Sequence, residues 1–401
     1  MTEFTTDWTA AGEAELAEIV ALRRAIHADP EIGNHCPRTT ARLRAALAGL
    51  PLEIHESTST TGFVAILRGG GDNGRVVLLR GDMDALPMPE ETGLDFASQV
   101  PNAMHACGHD SHCSMLVGAA RALSARKDQL PGTIVFMFQP GEEGHHGARF
   151  MIEDGLLDIE RPDSAFALHI DPNTRAGAIR TRKGPLLAST DALNITVRGK
   201  GGHAAMPHDC LDPIPVAAEI VTALSVFVAR QIPATDPAVL SITKIEAGSA
   251  YNIVPGEVQM IGTLRTLSPA TREKARAGLT RVVEHVAQAH GLTAEVRIDD
   301  GYPVTMCDPR AVDLIEKVSD SLAEGQWLPM PAPIMGGEDF SYVLREVPGA
   351  MAFIGVAPEG SDPATNPPLH NTKMTIEESV MAKGIAMHCA YAERFLENGF
   401  D

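Results

Sequence analysis

Four short runs in this chain, RVVLLRGD, TIVFMFQPGEE, SAFALHI and AMAFIGVAP, are apolar almost throughout. Strands that read this way, without a polar alternation, are buried on both faces. Helical stretches separate them, among them HDSHCSMLVGAARALSAR and TIEESVMAKGIAMHCAYAERFL. The second opens on the spacing of a capping box, Thr375 to Glu378. Apolar strands alternating with helices predict an α/β unit built on a mainly parallel sheet, over residues 1–187 and 304–401.

The middle of the chain reads differently. ALNITVRG alternates, with Leu193, Ile195 and Val197 on one face. A helix follows near 212–230, then the strands AVLSITKIEAG and EVQMIGTLRT. A second helix begins at Ser268-Pro269, an N-cap followed by a proline in the first turn, and ends at Gly291. LTAEVRI closes the segment. The order β-α-β-β-α-β predicts a ferredoxin-like α+β domain inserted at 188–303, leaving the larger domain discontinuous.

A formal charge of −19 opposes binding to nucleic acid or to an anionic membrane surface. The longest apolar stretch, VAAEIVTALSVFVA, is interrupted by Glu219 and reads as too short for a membrane span. The N-terminal MTEFTTDWTAAGEAELAEIV carries acids where a secretory signal needs basic residues. Six cysteines, at 36, 107, 113, 210, 307 and 389, follow no paired framework, as in a reducing compartment. A cytoplasmic protein is expected.

Residues able to bind metal recur where the strands end. Asp82 and Asp84 close the first run, Glu142 and Glu143 follow the second, His169 ends the third, and His370 precedes the last helix. In an open α/β sheet, ligands collect in the crevice outside the carboxyl ends of the strands. MHACGHDSHCSM adds His105, Cys107, His109, His112 and Cys113. Two arrangements are open: a local zinc knuckle made from this cluster alone, or a dispersed centre taking Cys107 and His109 here and Glu143, His169 and His370 from elsewhere. The second leaves Glu142 beside the metal as a spare carboxylate.

RGDMDALPMPEETG, MHACGHDSH, FQPGEEG, GKGGHAAMPH, GGEDFSYV and LHN resemble, in order and spacing, the motifs of the M20 metallopeptidases. They look most like the aminoacylase, hippurate hydrolase and auxin-conjugate hydrolase branch. The resemblance implies a zinc-peptidase-like catalytic domain, with 188–303 as a lid and dimerisation domain. It also implies two divalent metal ions held by Cys107, His109, Glu143, His169 and His370, with the Cys107 thiolate shared. Zinc, cobalt or nickel suit three histidines and a thiolate, while related enzymes often use manganese. Glu142 would be the general base and His203 would polarise the scissile carbonyl. Asn252, Arg265 and the backbone of Gly336 and Gly337 would hold a substrate carboxylate. Asp84 and Asp82 would orient a histidine ligand.

The implied activity is amide hydrolysis of an N-acyl amino acid by a homodimer or higher homo-oligomer joined through the lid. A dipeptidase or aminopeptidase is the enzymatic alternative, although no acidic partner for a free α-amino group stands out. A non-catalytic metal-binding protein is the other alternative, but none of the expected ligands is missing. Two places depart from the family pattern: Asn34-His35-Cys36 after DPEIG, and His145-His146 after PGEEG. The former suggests a different acyl preference; the latter two read as exposed loop residues.

Overall fold

In the computed structural model, which describes residues 7–323 and 326–401, each of the four apolar runs contains a buried strand. The first six residues of the acidic N-terminal segment lie outside the described residues. The chain forms two compact units. One comprises Met1–Leu186, Met306–Ala332 and Asp339–Asp401, the other Leu187–Thr305 and Pro333–Glu338.

The first unit starts with α1 (Trp8–His27), where the Asp7 carboxylate accepts from the Ala10 N–H, and α2 (Pro37–Ala46). Then come β1 (Glu53–Glu56), β2 (Phe63–Arg68), β3 (Val76–Asp82), α3 (His109–Ser124), β4 (Thr133–Gln139), α4 (Gly147–Glu153), β5 (Ser164–Asp171), β6 (Ile179–Arg180) and β7 (Gly184–Leu187).

The second unit contributes β8 (Ser189–Arg198), β9 (Gly202–His203), α5 (Pro213–Gln231), β10 (Ala238–Ala247), β11 (Ile253–Val254), β12 (Glu257–Thr266), α6 (Pro269–Ala289) and β13 (Thr293–Asp300). The chain finishes with β14 (Thr305–Cys307), α7 (Pro309–Leu322), α8 (Ser341–Glu346), β15 (Gly349–Gly355) and α9 (Met381–Asn398).

Seven strands of the first unit form one sheet in the order β1-β2-β4-β3-β5-β15-β6. The central strands β4, β3, β5 and β15 are parallel to one another, and antiparallel strands close both edges. After β3 the chain goes to β4 on one side and then to β5 on the other. That reversal opens a crevice at the carboxyl ends of these strands, where Asp82, Glu142 and His169 fall. Helices α1, α3 and α9 pack on one another, and α3 and α9 also cover β3.

The expected capping box at Thr375 is not made. Glu377 caps a short 3-10 turn at Glu378–Val380, and α9 starts only at Met381. Glu378 is engaged elsewhere: its carboxylate takes Arg23 at 3.0 Å and Arg24 at 2.5 Å on α1. Two guanidinium partners outweigh one backbone N–H, since charge-assisted bonds are roughly twice as strong as neutral ones.

The second unit has the order β10-β12-β8-β13, all antiparallel. Leu193, Ile195 and Val197 alternate inward and meet Ile220, Leu224, Leu279 and Val283 of the two helices. Full burial of each such side chain contributes roughly 1.5–3 kcal/mol. The N-caps form as the sequence predicts, with Asp212 accepting from Ile214 N and Ser268 from Thr271 N.

One expectation changes. Helix α5 is long and apolar enough, by length and composition, to cross a membrane. Val216, Ala217, Ile220, Leu224 and Phe227 account for much of that character and lie in the core of this unit. Residues 333–338, read from sequence as part of the larger domain, cluster instead with the smaller unit. There, Ala188 N–H donates to Ile334 O and Gly336 O.

Candidate metal centre

Cys107 and His109 come together through Gly108, which sits at φ 78° as the N-cap of α3. A Cβ there would lie 2.2 Å from Ile170 Cδ1, so the turn needs both the left-handed conformation and the missing side chain. His109 is the first residue of α3 and is fully buried. His169, near the end of β5, donates from Nδ1 to the Ile170 carbonyl at 2.7 Å and presents Nε2 to Cys107 Sγ at 3.5 Å. His370 holds φ 63°, uncommon for a residue other than glycine, and its N–H is tied to Ala106 O at 2.9 Å. That bond brings the LHN loop to the cysteine segment, with His370 Nε2 3.2 Å from Glu143 Oε1.

The donor atoms fall into groups within 4.8 Å: Cys107 with His109 and His169, Cys107 with Glu143 and His370, and His109 with Glu142 and Glu143. All five residues expected as ligands are present, and the Cys107 sulfur belongs to two of the triads. Asp84 sets the glutamates in place. Its two oxygens accept the N–H groups of Glu142 at 2.9 Å and Glu143 at 3.1 Å, and Oδ1 lies 3.4 Å from His109 Nδ1. The Glu142 side chain accepts from the Asp339 N–H at 3.3 Å.

His112 is not available as a ligand. Its Nδ1–H donates to Asp82 at 2.6 Å and its Nε2 accepts from Ile170 N at 2.9 Å, which fixes the neutral tautomer. In the group Asp82, His109 and His112, Asp82 and His112 are therefore already engaged with each other, and Asp82 is also paired to Arg80 at 2.6 Å. The local knuckle does not assemble: among the described residues no metal-capable group includes His105 or Cys113. Cys113 points to the Asp110 carbonyl, and the His105 ring faces His27. Of the remaining thiols, Cys36, Cys307 and Cys389 are buried, while Cys210 is partly exposed.

The electrostatics fit a cation. Burial lowers the His109 pKa, but Asp82, Asp84 and Glu143 outweigh it and hold the ring up at about 10. Burial, with Glu143, Glu142 and Asp82 nearby, pushes the Cys107 thiol well up. Burial raises Glu143 too, yet His370 and His109 keep it below the ordinary carboxylate range. Neither His109 nitrogen closes a hydrogen bond among the described residues. A soft sulfur and borderline imidazole nitrogens amid carboxylates suit divalent ions, which deprotonate a coordinating thiol.

The remaining candidates lie in the second unit. His203 is on β9 and pairs with Ile253 of β11, next to Asn252. Ala205 N–H donates to His203 Nδ1 at 3.1 Å, which leaves the proton of the neutral ring on the exposed Nε2. Asn252 is exposed, its carbonyl accepting from Ala204 N. Arg265 is half-buried on β12, with Nε donating to Thr263 Oγ1 and burial lowering its pKa. A Cβ on Gly337 would lie 3.6 Å from Arg265 Nη1, and Gly336 precedes it in the same loop.

The two departures from the family pattern meet in the first unit. Asn34 Nδ2 donates to the His145 carbonyl at 2.9 Å, and His35 and His145 line one cleft of about 360 Å3 with Ile32, Ser59 and Phe150. His146, read from sequence as exposed, is partly buried at φ 57° and lies 3.0 Å from the Tyr342 hydroxyl through Nδ1.

Residues 78–394 match the family model for peptidase family M20/M25/M40. The chain belongs to that family. It is 38% identical over 381 residues to thermostable carboxypeptidase 1 of Saccharolobus solfataricus, covering 94% of this chain and 95% of that protein. It is 35% identical to the N-acetyl-L-cysteine deacetylase of Bacillus subtilis, covering 95% and 89%. Among solved structures it is similar to Bacillus subtilis YXEP, described as a dinuclear metal binding peptidase of the M20 family. That match has a TM-score of 0.82 and 31% identity, over 96% of this chain and 99% of that one. This M20 chain is thus a metal-dependent hydrolase, and its donor groups support two divalent ions.

Sequence reasoning missed Arg80, Gln139 and Asp339. One signal was present: Arg80 is a charge inside a buried strand, VVLLRGD, that is wholly apolar up to that residue. Such a residue must be paired when buried, and its partners Asp82, Gln139 and Asp339 all border this site.

Proposed function

We propose that this M20 hydrolase cleaves the amide bond of N-acyl amino acids at a two-metal centre, releasing a carboxylic acid and a free amino acid. The observation that carries the reading is the Cys107 sulfur shared by two donor triads, while Glu142 is turned to the Asp339 N–H. Cys107, His109, Glu143, His169 and His370 would hold the ions, with Asp84 orienting His109 from its Nδ1 side and Asp82 acting beside it through His112 and Arg80. Zinc, cobalt, nickel or manganese would serve. Bound divalent ions supply a water of lowered pKa and a Lewis acid for the carbonyl.

Glu142 takes the proton of the attacking water and returns it to the departing amine. His203, whose Nδ1 is already an acceptor, has the Nε2–H needed to donate to a carbonyl oxygen. Arg265 offers a planar fork for a carboxylate, with Asn252 and the backbone of Gly336 and Gly337 as further contacts. The second unit is assigned the roles of lid and of contact between subunits of a cytoplasmic homo-oligomer.

A second reading has support: a relative at 38% identity is named a carboxypeptidase. Both substrates present an amide next to a free carboxylate and differ only on the acyl side. The metal-reconstituted enzyme would be assayed on N-acetyl-methionine, hippurate, a free dipeptide and an N-acylated dipeptide. Turnover of the first two with neglect of the peptides supports the amidohydrolase; the reverse establishes the carboxypeptidase. In parallel, Glu142→Gln is expected to keep both metals and lose nearly all turnover. Unaltered activity would remove Glu142 from the reaction.

A further inference from the structure

Glu142 sits within reach of two fates. Its carboxylate lies within 4.8 Å of donor atoms of His109 and Glu143, so a modest rotation would make it one more ligand instead of a base. On the other side its Oε1 meets the Asp339 N–H at 3.3 Å. The position of that N–H is set by what holds the Asp339 side chain.

That side chain is fully buried and keyed to the sheet. Its carboxylate accepts from Gln139 Nε2 at 2.8 and 2.9 Å, from Arg80 Nη2 at 3.1 Å and from Ala148 N at 2.9 Å. Gln139 is the last residue of β4, three before Glu142, and Arg80 lies on β3. Arg80 is itself fixed: Nε donates to Gln139 Oε1 at 2.8 Å, Nη1 pairs with Asp82 at 2.6 Å, and the guanidinium lies 5.6 Å from the Phe340 ring centroid. These donors to Asp339 are all N–H groups and they reach both oxygens, which suits a group that accepts on both. Asparagine, of the same shape, would set its NH2 against one of them.

We propose that Asp339 is a positioning residue: anchored by Arg80 and Gln139, it presents its backbone N–H to Glu142 and holds that carboxylate off the metal ligands. The proposal rests on the reading of Glu142 as the base.

The test is Asp339→Asn in the metal-loaded enzyme, assayed on N-acetyl-methionine and hippurate, alone and combined with Glu142→Gln. A base displaced by about 1 Å costs on the order of 10²-fold, so kcat is expected to fall roughly ten- to hundredfold, with KM within about twofold. Bound metal should stay at its wild-type content. In the Glu142→Gln background the same substitution should cause no further loss of the residual rate, because residues acting as a unit are not additive. A merely structural role would lower the folded fraction and reduce the rate equally in both backgrounds.

Wild-type kcat in Asp339→Asn, or an equal loss in both backgrounds, overturns the proposal. Full activity in Glu142→Gln alone would instead overturn the role of Glu142. If Asp339→Asn does not fold, Gln139→Met decides: a several-fold loss of kcat that vanishes with Glu142→Gln supports the proposal, and additivity overturns it.

Discussion

Replacing Gly108 with alanine tests the turn that brings Cys107 and His109 together. Two costs are separable in the structure. The residue holds φ 78°, where an L side chain costs roughly 1–2 kcal/mol. Alanine recovers about 0.4–1 kcal/mol of that by restricting the unfolded chain. The new methyl would stand 2.2 Å from Ile170 Cδ1 and 2.6 Å from Cγ1, so a buried side chain must leave its rotamer. Overpacking of this kind costs about 1–3 kcal/mol. The sum is a destabilisation of roughly 2–4 kcal/mol, of which sterics are the larger share.

Truncating Ile170 separates the two costs. In an Ile170→Ala background the colliding atoms are gone and only the backbone penalty remains, so Gly108→Ala should cost about 1 kcal/mol or less there. Both tryptophans, Trp8 and Trp327, belong to the first unit, so urea unfolding followed by their fluorescence reports on the right part of the chain. A coupling of about 2 kcal/mol is expected in the cycle. Additive effects of the two substitutions would refute the steric argument, and wild-type stability in Gly108→Ala would refute both.

Two further outcomes follow from the same side chains. Cys107→Ser should reduce bound metal from two equivalents towards one or none, because its sulfur belongs to both triads, with the fold unchanged by circular dichroism. Retention of two tightly held ions would show that the sulfur is dispensable. Glu90 is held down at about 2: burial raises it, but His27, the Thr92 hydroxyl and the Ser98 N–H outweigh that. A depressed carboxylate contributes stability above its unfolded pKa near 4.5 that fades as pH falls towards 2. The difference in Tm between wild type and Glu90→Gln should therefore be full at pH 6–7 and shrink steadily below about pH 4.5. A constant difference across that range would contradict the charged state assigned to Glu90.

The strands were legible because burial on both faces leaves an unbroken apolar run, as in β3 and β15. The second unit was legible because Leu193, Ile195 and Val197 must share one face. Donor residues at strand ends could be read because an open sheet gathers its carboxyl ends. Pairings made over hundreds of residues were not. Glu378 has the spacing of a cap and is drawn instead to Arg23 and Arg24, some 350 positions away. Residues 333–338 carry no periodicity that would assign them to the smaller unit. His112 belongs to the metal-capable cluster of the sequence, and which of its histidines stay free for a ligand is decided by partners far along the chain, here Asp82 and Ile170 N.

The adjacency of Glu142 and Glu143 raises a physical difficulty that the fold resolves. Two neighbouring carboxylates with similar surroundings would compete for the same cation, and neither would be left as a base. Asp84 fixes both through their backbone N–H groups, which leaves the side chains free to differ. Glu143 is then held by His370 at 3.2 Å and faces His109 at 3.9 Å, while Glu142 meets the Asp339 N–H. The three carboxylates thus differ in their partners: Asp84 accepts two backbone N–H groups beside His109, Glu143 lies between His370 and His109, and Glu142 meets the Asp339 N–H. The division depends on Arg80, whose single buried positive charge serves both Asp82 and Asp339. Removing a charge that neutralises two buried carboxylates should therefore disturb the proposed ligands and the proposed base together, a breadth of effect that no single substitution among those ligands would reproduce.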